Sequence, residues 1–308
     1  MATPVIADRD AWNSALTYIW GQYRTWAFTS RTYKSEVLRW RKTVLLLSIA
    51  GAILGTLCQQ TSGWNSAPSW LPGFFGLLSA AALGLAAYFT REALSPDPEG
   101  RAVRARSAAE AFKSEAYLLA ANVPPYSMAN TAEELRERTA KVRKAVEHLP
   151  YKSITAEQEL EGIPSDRLSV EDYIEQRVNQ QIDKYYIPQA RENEKKVATG
   201  RTISLVLGGL AVIFGVLGTT RYGWVAAWTA VITTITAAIA AHQYAGRYQF
   251  LIVSYQATAE RLKWLKTQWG ISRKTDADTE ERNKFIQDCE EAISVENSAW
   301  MAEWTKKE

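Results

Sequence analysis

The sequence predicts an all-α membrane protein with two transmembrane helical hairpins, four spans in all, continued by long cytoplasmic helices and internally duplicated. Three observations predict it. Residues 43–90 carry no Asp, Glu, Lys or Arg and residues 202–246 carry only Arg221, so 68 of the 69 charges fall on the other 215 residues. Each of these two blocks breaks once, at a short segment rich in Gly, Pro and Trp. Outside the blocks, apolar and aromatic residues recur at spacings of three and four, the period of helices with one buried stripe.

The first unit, residues 1–149, opens on a water-facing helix. Trp12, Leu16, Ile19, Tyr23, Trp26, Ser30, Tyr33, Val37 and Trp40 alternate spacings of four and three, a heptad-like seam that wants partner helices. A signal peptide is not expected, because 42 charged, helically patterned residues precede the first apolar run. About 20 apolar residues at 1.5 Å each cross the roughly 30 Å hydrocarbon core. Residues 43–62 and 71–90 meet that length, and SGWNSAPSWLPG between them surfaces as a turn. After the second span, Pro96-Asp97-Pro98-Glu99-Gly100 interrupts the helix.

A linker at 150–168 holds Pro150 and Pro164 and separates the units. In the second unit, residues 169–308, Ser169-x-x-Asp172 caps a helix containing Tyr173, Ile174, Val178 and Ile182. Spans 202–220 and 224–245 follow, joined at TTRYGW. The fourth is expected to run on unbroken into a second seam of Tyr248, Leu251, Tyr255, Thr258, Leu262, Leu265 and Trp269. The last helix opens near Asp278-x-x-Glu281 and carries Phe285, Cys289, Ile293, Trp300 and Trp304 on one face.

The duplication is read by shifting the chain against itself. An offset of 160 superimposes Arg41 on Arg201, Leu45 on Leu205, Gly55 on Gly215 and Gly63-Trp64 on Gly223-Trp224. An offset of 150 brings Ala109-Glu110-x-x-Lys113 onto Ala259-Glu260-x-x-Lys263. Orientation follows from 17 basic residues flanking the stems against one in the turns, which puts both termini and the linker in the cytoplasm. Trp40, Trp64, Trp70 and Trp224 fall at the expected interfaces. Cys58 and Cys289 then lie on opposite sides of the membrane and cannot pair.

Several function classes drop out. A net charge of +3 does not suit a nucleic-acid binder. His148 and His242 have no Cys or His partner at ligand spacing, and no phosphate-loop, nucleophile-elbow or zinc-protease run occurs, so no catalytic, cofactor-binding or metal residue is expected. Coupled transport usually places Asp or Glu inside the membrane, and these spans hold none. They do hold small and neutral polar residues at helical spacing. Ser204, Gly208, Ala211, Gly215 and Gly218 read as a packing stripe on the third span. Thr229, Thr233, Thr236 and Gln243 form a polar stripe on the fourth, with Gln59, Gln60 and Thr219 near the outer mouth. Either the polar stripe lines a passive ion path in a homo-oligomer, or it glues helices in a membrane-anchored scaffold that recruits a cytoplasmic partner.

The doubled basic-flanked hairpins, the two Ala-Glu-x-x-Lys matches and the ending VENSAWMAEW from Val295 to Trp304 resemble the SLATT family, the SMODS and SLOG associating two-transmembrane effector domains of bacteria, with two units in tandem. The resemblance covers nearly the whole chain. It implies a membrane effector, a pore in a nucleotide-signalled conflict or defence system, at the bacterial inner membrane. It supplies no active-site residues, and it leaves the regulatory ligand open.

Overall fold

The computed structural model describes residues 9–94, 98–126, 131–165, 167–220, 222–272 and 279–305. Every regular element among them is a helix: α1 (Arg9–Ser62), α2 (Leu71–Leu94), α3 (Pro98–Ala120), α4 (Thr131–Val146), α5 (Ala156–Leu160), α6 (Val170–Tyr173), a π-helical segment (Ile174–Tyr186), α7 (Ile187–Gly218), a 3-10 turn (Gly223–Val225), α8 (Ala226–Gly246), α9 (Tyr248–Ser272) and α10 (Thr279–Thr305). Two compact units emerge, each built from both halves of the sequence. A polar unit takes Met1–Lys34, Asp97–Ala190 and Val253–Glu308; an apolar unit takes Ser35–Pro96 and Arg191–Ile252.

In the polar unit α3 packs against α4 and α10. Pro98 opens α3 at the position where a missing N–H costs nothing. Leu16, Ile19, Tyr23, Trp26 and Tyr33 of the first seam and Tyr255, Thr258, Leu262, Leu265 and Trp269 of the second are buried. These seams are filled within the chain and give no reason for further copies. Phe285, Cys289 and Ile293 of α10 are buried as well, and Phe285 stacks on Trp269 at 5.1 Å. Asp278 and the Trp300 and Trp304 side chains lie outside the described residues, as do Pro96, Asp97 and Arg221.

At the centre sits a buried ion pair. Arg177 donates from Nε and Nη2 to the two carboxylate oxygens of Glu290 at 2.9 and 2.8 Å, and the Tyr173 hydroxyl donates to the same carboxylate at 2.9 Å. The guanidinium also lies over the Tyr117 ring at 5.1 Å and 3.6 Å from Glu110. Bidentate geometry and a stacked ring favour arginine here over lysine. Burial pushes the Glu110 carboxyl up, but Lys113, Arg177 and Arg106 outweigh it and hold it below the ordinary carboxylate range. Glu260, which the offset of 150 sets against it, instead makes an exposed pair with Lys263 at 2.7 Å. Matched motifs thus sit in unlike surroundings. Burial also raises the Cys289 thiol, leaving it a packed, protonated side chain.

The stretch 150–168 is docked along α1 rather than free. Thr29 Oγ1 accepts from the Lys152 amide at 2.9 Å, Arg24 Nε donates to the Gln158 carbonyl at 2.9 Å, and Trp20 Nε1 donates to the Glu161 carbonyl at 3.1 Å. Its short helix α5 starts on a Thr155/Gln158 capping box. Ser169 caps α6 by accepting from the Asp172 amide, as its spacing predicts.

Two helix irregularities depart from the sequence reading. Residues 174–186, expected to be α-helical, form i→i+5 turns. Pro188 follows directly, where it has no N–H for the Lys184 carbonyl and its ring would crowd an α-turn. The wider turn also serves packing: Tyr173 and Tyr186 are both buried, yet thirteen residues make about 3.6 turns of α-helix and would set them on opposite faces. Secondly, the helix after the fourth span does not run on. Arg247 takes a left-handed conformation with φ of 47° and separates α8 from α9.

Candidate functional site

Four helices are long and apolar enough to cross a membrane, and their apolar windows are the 43–62, 71–90, 202–220 and 224–245 stretches or overlap them. Exposed aromatics mark both ends. Trp64, Trp70, Tyr222 and Trp224 are exposed at the turn ends, and Trp40, Tyr88 and Tyr244 at the stem ends. From Trp224 in the 3-10 turn to Tyr244 in α8, twenty residue steps span about 30 Å at about 1.5 Å each, the thickness of a hydrocarbon core. The protein is a membrane protein, and these exposed aromatics flank its apolar stretches as an aromatic belt would.

The first hairpin closes on small residues. The Ser79 hydroxyl of α2 donates to the Gly51 carbonyl of α1 at 2.8 Å, and a Cβ placed on Gly51 would lie 2.6 Å from Leu83. Gly55 faces Ser79, and Gly76 faces Cys58. Gly51-x-x-x-Gly55 is the small-residue motif that lets two helices approach closely. The sequence reading did not single it out, although its spacing was visible. Gln60, assigned to the outer mouth, donates to the Trp224 carbonyl at 2.8 Å and so ties the first hairpin to the turn of the second. Gln59 is exposed beside it, and Thr219 is exposed with its hydroxyl on the Val216 carbonyl at 2.8 Å.

On α7, Ser204, Ala211, Gly215 and Gly218 share a half-buried face with Leu207 and Phe214, while Gly208 is exposed. A Cβ at Gly218 would lie 2.6 Å from the Ala226 side chain and 3.0 Å from its Cα; at Gly208 or Gly215 it would meet open space. The opposite face of α7 exposes Leu205, Val206, Val212, Ile213 and Val216, large side chains suited to lipid.

The fourth-span stripe is divided. Thr229, Thr236 and Gln243 are half-buried and Thr233 is exposed. Thr233 and Thr236 donate to the carbonyls of Thr229 and Ile232 at 2.8 and 2.9 Å, the backbone bonding that membrane threonines often use. The Thr229 hydroxyl is buried without a hydrogen-bond partner, and Gln243 donates to the Lys196 carbonyl at 3.4 Å. Gln243 fits because Gly200 has no side chain; a Cβ there would overlap its amide. Next to this stripe, the outward face of α8 carries Ala226, Ala230, Thr233, Thr234, Ala237, Ala240 and Ala241, all exposed. No large aliphatic side chain interrupts it, in contrast to α7. Among the described residues no cluster of His, Cys, Asp or Glu could hold a metal ion.

Residues 173–300 match the family model described as SMODS and SLOG-associating 2TM effector domain 1, and residues 24–134 match the model described as Protein of unknown function (DUF4231). No curated protein and no solved structure matches the chain. The second half, from Tyr173 at the buried ion pair to Trp300, is thus similar to a SLATT-type domain. The first hairpin falls under a differently described model.

Proposed function

We propose that this chain is a bacterial membrane effector whose copies assemble in the cell membrane around a passive ion path, with the outward face of α8 toward that path, and that it is not an enzyme. The observation that carries the reading is the contrast between two exposed membrane surfaces. The α7 face is made of Leu, Val and Ile; the α8 face is made of Ala and Thr as far as Tyr244 at its stem end. A surface of small side chains and hydroxyls gains little from lipid contact, but it allows close approach and can replace part of an ion's hydration. The description of the matched domain as an effector supports the same reading, and a first hairpin that duplicates the second would give each copy two hairpins to place around the axis.

Conductance across planar bilayers tests it. Purified protein is expected to conduct, Thr233→Cys to react with a water-soluble thiol reagent and change the current, and Val212→Cys on the aliphatic face of α7 to stay silent. A conducting protein with an unreactive Thr233→Cys would remove α8 from the path. Absence of any current would favour the scaffold, in which the hairpins only anchor the polar unit.

The proposed orientation, with both termini and residues 150–168 cytoplasmic, makes a separate prediction. Ser66 and Ser165 are both exposed, so reactivity at either position reports sidedness rather than burial. In a Cys58→Ser background, an impermeant thiol reagent added to intact cells is expected to label Ser66→Cys and not Ser165→Cys. The reverse pattern would invert the topology.

A further inference from the structure

We propose that residues 150–163 are a releasable strap: docked on α1 they hold the ion path shut, and on leaving α1 they uncover its Trp20, Gly21, Arg24 and Thr29 while the helices beneath stay folded. The effect on the path rests on the function proposed above; the opening itself does not. The strap runs along α1 in the opposite chain direction. Tyr33 donates to the Pro150 carbonyl, Thr29 accepts from the Lys152 amide at 2.9 Å, Arg24 donates to the Gln158 carbonyl at 2.9 Å, and Trp20 donates to the Glu161 carbonyl at 3.1 Å. These α1 side chains all grip the strap by its main chain. Arg24 also pairs with the Glu161 carboxylate, and the Trp26 ring lies 6.3 Å from that of Tyr151.

Three features distinguish this segment from a packed element. Its own side chains face water: from Tyr151 to Gly162 every residue is exposed except half-buried Ile154, and α5 buries none of its residues. A stretch held by polar bonds at a wet edge, with little apolar area under it, belongs to the low-stability end of a structure. Its ends, by contrast, are pinned. Leu149 before it and Pro164 and Leu168 after it are buried, and Gly162 beside the second anchor takes a φ of 71°, a left-handed turn that glycine adopts without strain. The seat is shaped to receive it. Gly21 is buried, and the nearest atoms that a Cβ there would meet all belong to Glu159, at 3.8 to 3.9 Å. Trp20 keeps other packing when the strap leaves, against Tyr23 and Tyr117 at 4.7 and 5.9 Å.

The consequence of opening follows from what the strap grips. α1 continues from this strip to Ser62 as one helix and so carries the first span. The strap is also the connection by which the chain passes from α4 to α6. From Trp20 to Tyr33 its contacts cover about 20 Å of the α1 axis, at about 1.5 Å per residue. Switching in helical proteins proceeds by small shifts of packed helices, and a stem held over that length shifts only after these bonds break.

Two measurements on the full chain in a Cys58→Ser background test the strap. In the first, Thr29→Cys reports opening by its rate of reaction with a small thiol reagent, since Thr29 is fully buried and bonded to the Lys152 amide. Buried Cys289 reports global unfolding in the same sample. Thr29→Cys is expected to react well before Cys289, and Arg24→Gln to speed that reaction roughly tenfold, the size of one hydrogen bond to a charged group. Gly21→Cys serves as the reporter if Thr29→Cys does not fold. Equal rates at the reporter and at Cys289, or no acceleration by Arg24→Gln, would overturn the opening. In the second, Gly21→Cys/Glu159→Cys staples the strap down, because a Cβ at residue 21 lies 3.9 Å from the Glu159 Cβ, within the range of a disulfide. Current across planar bilayers is expected to fall severalfold on oxidation and to return on reduction, and Arg24→Gln is expected to raise it. A staple that forms without changing the current would overturn the strap as a gate, and one that does not form would overturn the docked geometry. If no variant carries current while Thr29→Cys still reacts ahead of Cys289, the ion path fails and the opening stands.

Discussion

Arg177→Ala is expected to lower the stability of the polar unit by about 3–5 kcal/mol, because it strands a buried carboxylate that has lost its bidentate partner. Glu290 is 4% exposed and Arg177 fully buried, so water cannot take the partner's place. Replacing both, as Arg177→Met/Glu290→Leu, is expected to recover much of the loss, since two apolar side chains leave no charge behind. Unfolding in mild detergent followed by tryptophan fluorescence measures both variants. A double variant as unstable as the single one would mean that the pair is needed for shape as well as neutralisation. The same cluster sets an acid limit. Glu110 is held ionised below its ordinary range, so it contributes stability at neutral pH that disappears as pH falls through its lowered value. Glu110→Gln is expected to flatten that acid limb, while a limb of unchanged steepness would assign the acid sensitivity elsewhere.

Gly218→Val is expected to be the most damaging glycine substitution in the second hairpin. A new Cβ there meets the Ala226 Cα and amide nitrogen at 3.0 and 3.1 Å, and backbone cannot swing aside as a side chain can. Overpacking of this kind costs about 1–3 kcal/mol. Gly208→Val meets open space within the chain and is expected to leave the melting temperature of the monomer nearly unchanged. The two variants therefore separate folding from assembly. If Gly208→Val shifts the mass measured by light scattering without changing helicity, the exposed glycine packs against another copy; if it changes neither, that face looks into lipid.

The element types were legible because charge-free blocks and three-four seams are long-range signals. Nearly every seam residue from Leu16 to Val37 and from Leu251 to Trp269 is buried. What was not legible was which helices fill each seam. Periodicity reports that a face must be covered, without saying by what, and the covering here came from segments far away in sequence. Two breaks were signalled but not read. Pro188 marked the point where an α-helix could not continue as drawn, and Gly246 marked the end of α8. On the fourth span, spacing set the threonines along one strip of α8, which the structure divides between half-buried Thr229 and Thr236 and exposed Thr233. Hydroxyls that return to their own carbonyls at 2.8 and 2.9 Å could not be told from hydroxyls facing water by spacing alone. The buried Arg177 was the hardest case, since an arginine on a charged helix looks solvent-facing until its partner 113 residues later is in place.

That separation of 113 residues bears on how the chain is made. A ribosome adding about 5–20 residues per second needs roughly 6 to 23 seconds to pass from Arg177 to Glu290. In that interval the entire second hairpin must leave the tunnel and enter the bilayer. Throughout it the arginine has no Glu290, and the polar unit cannot close. A nascent chain stalled or cut before α10 would therefore display an incomplete core, a mark that proteases and chaperones can recognise, and only chains synthesised past Glu290 would escape it.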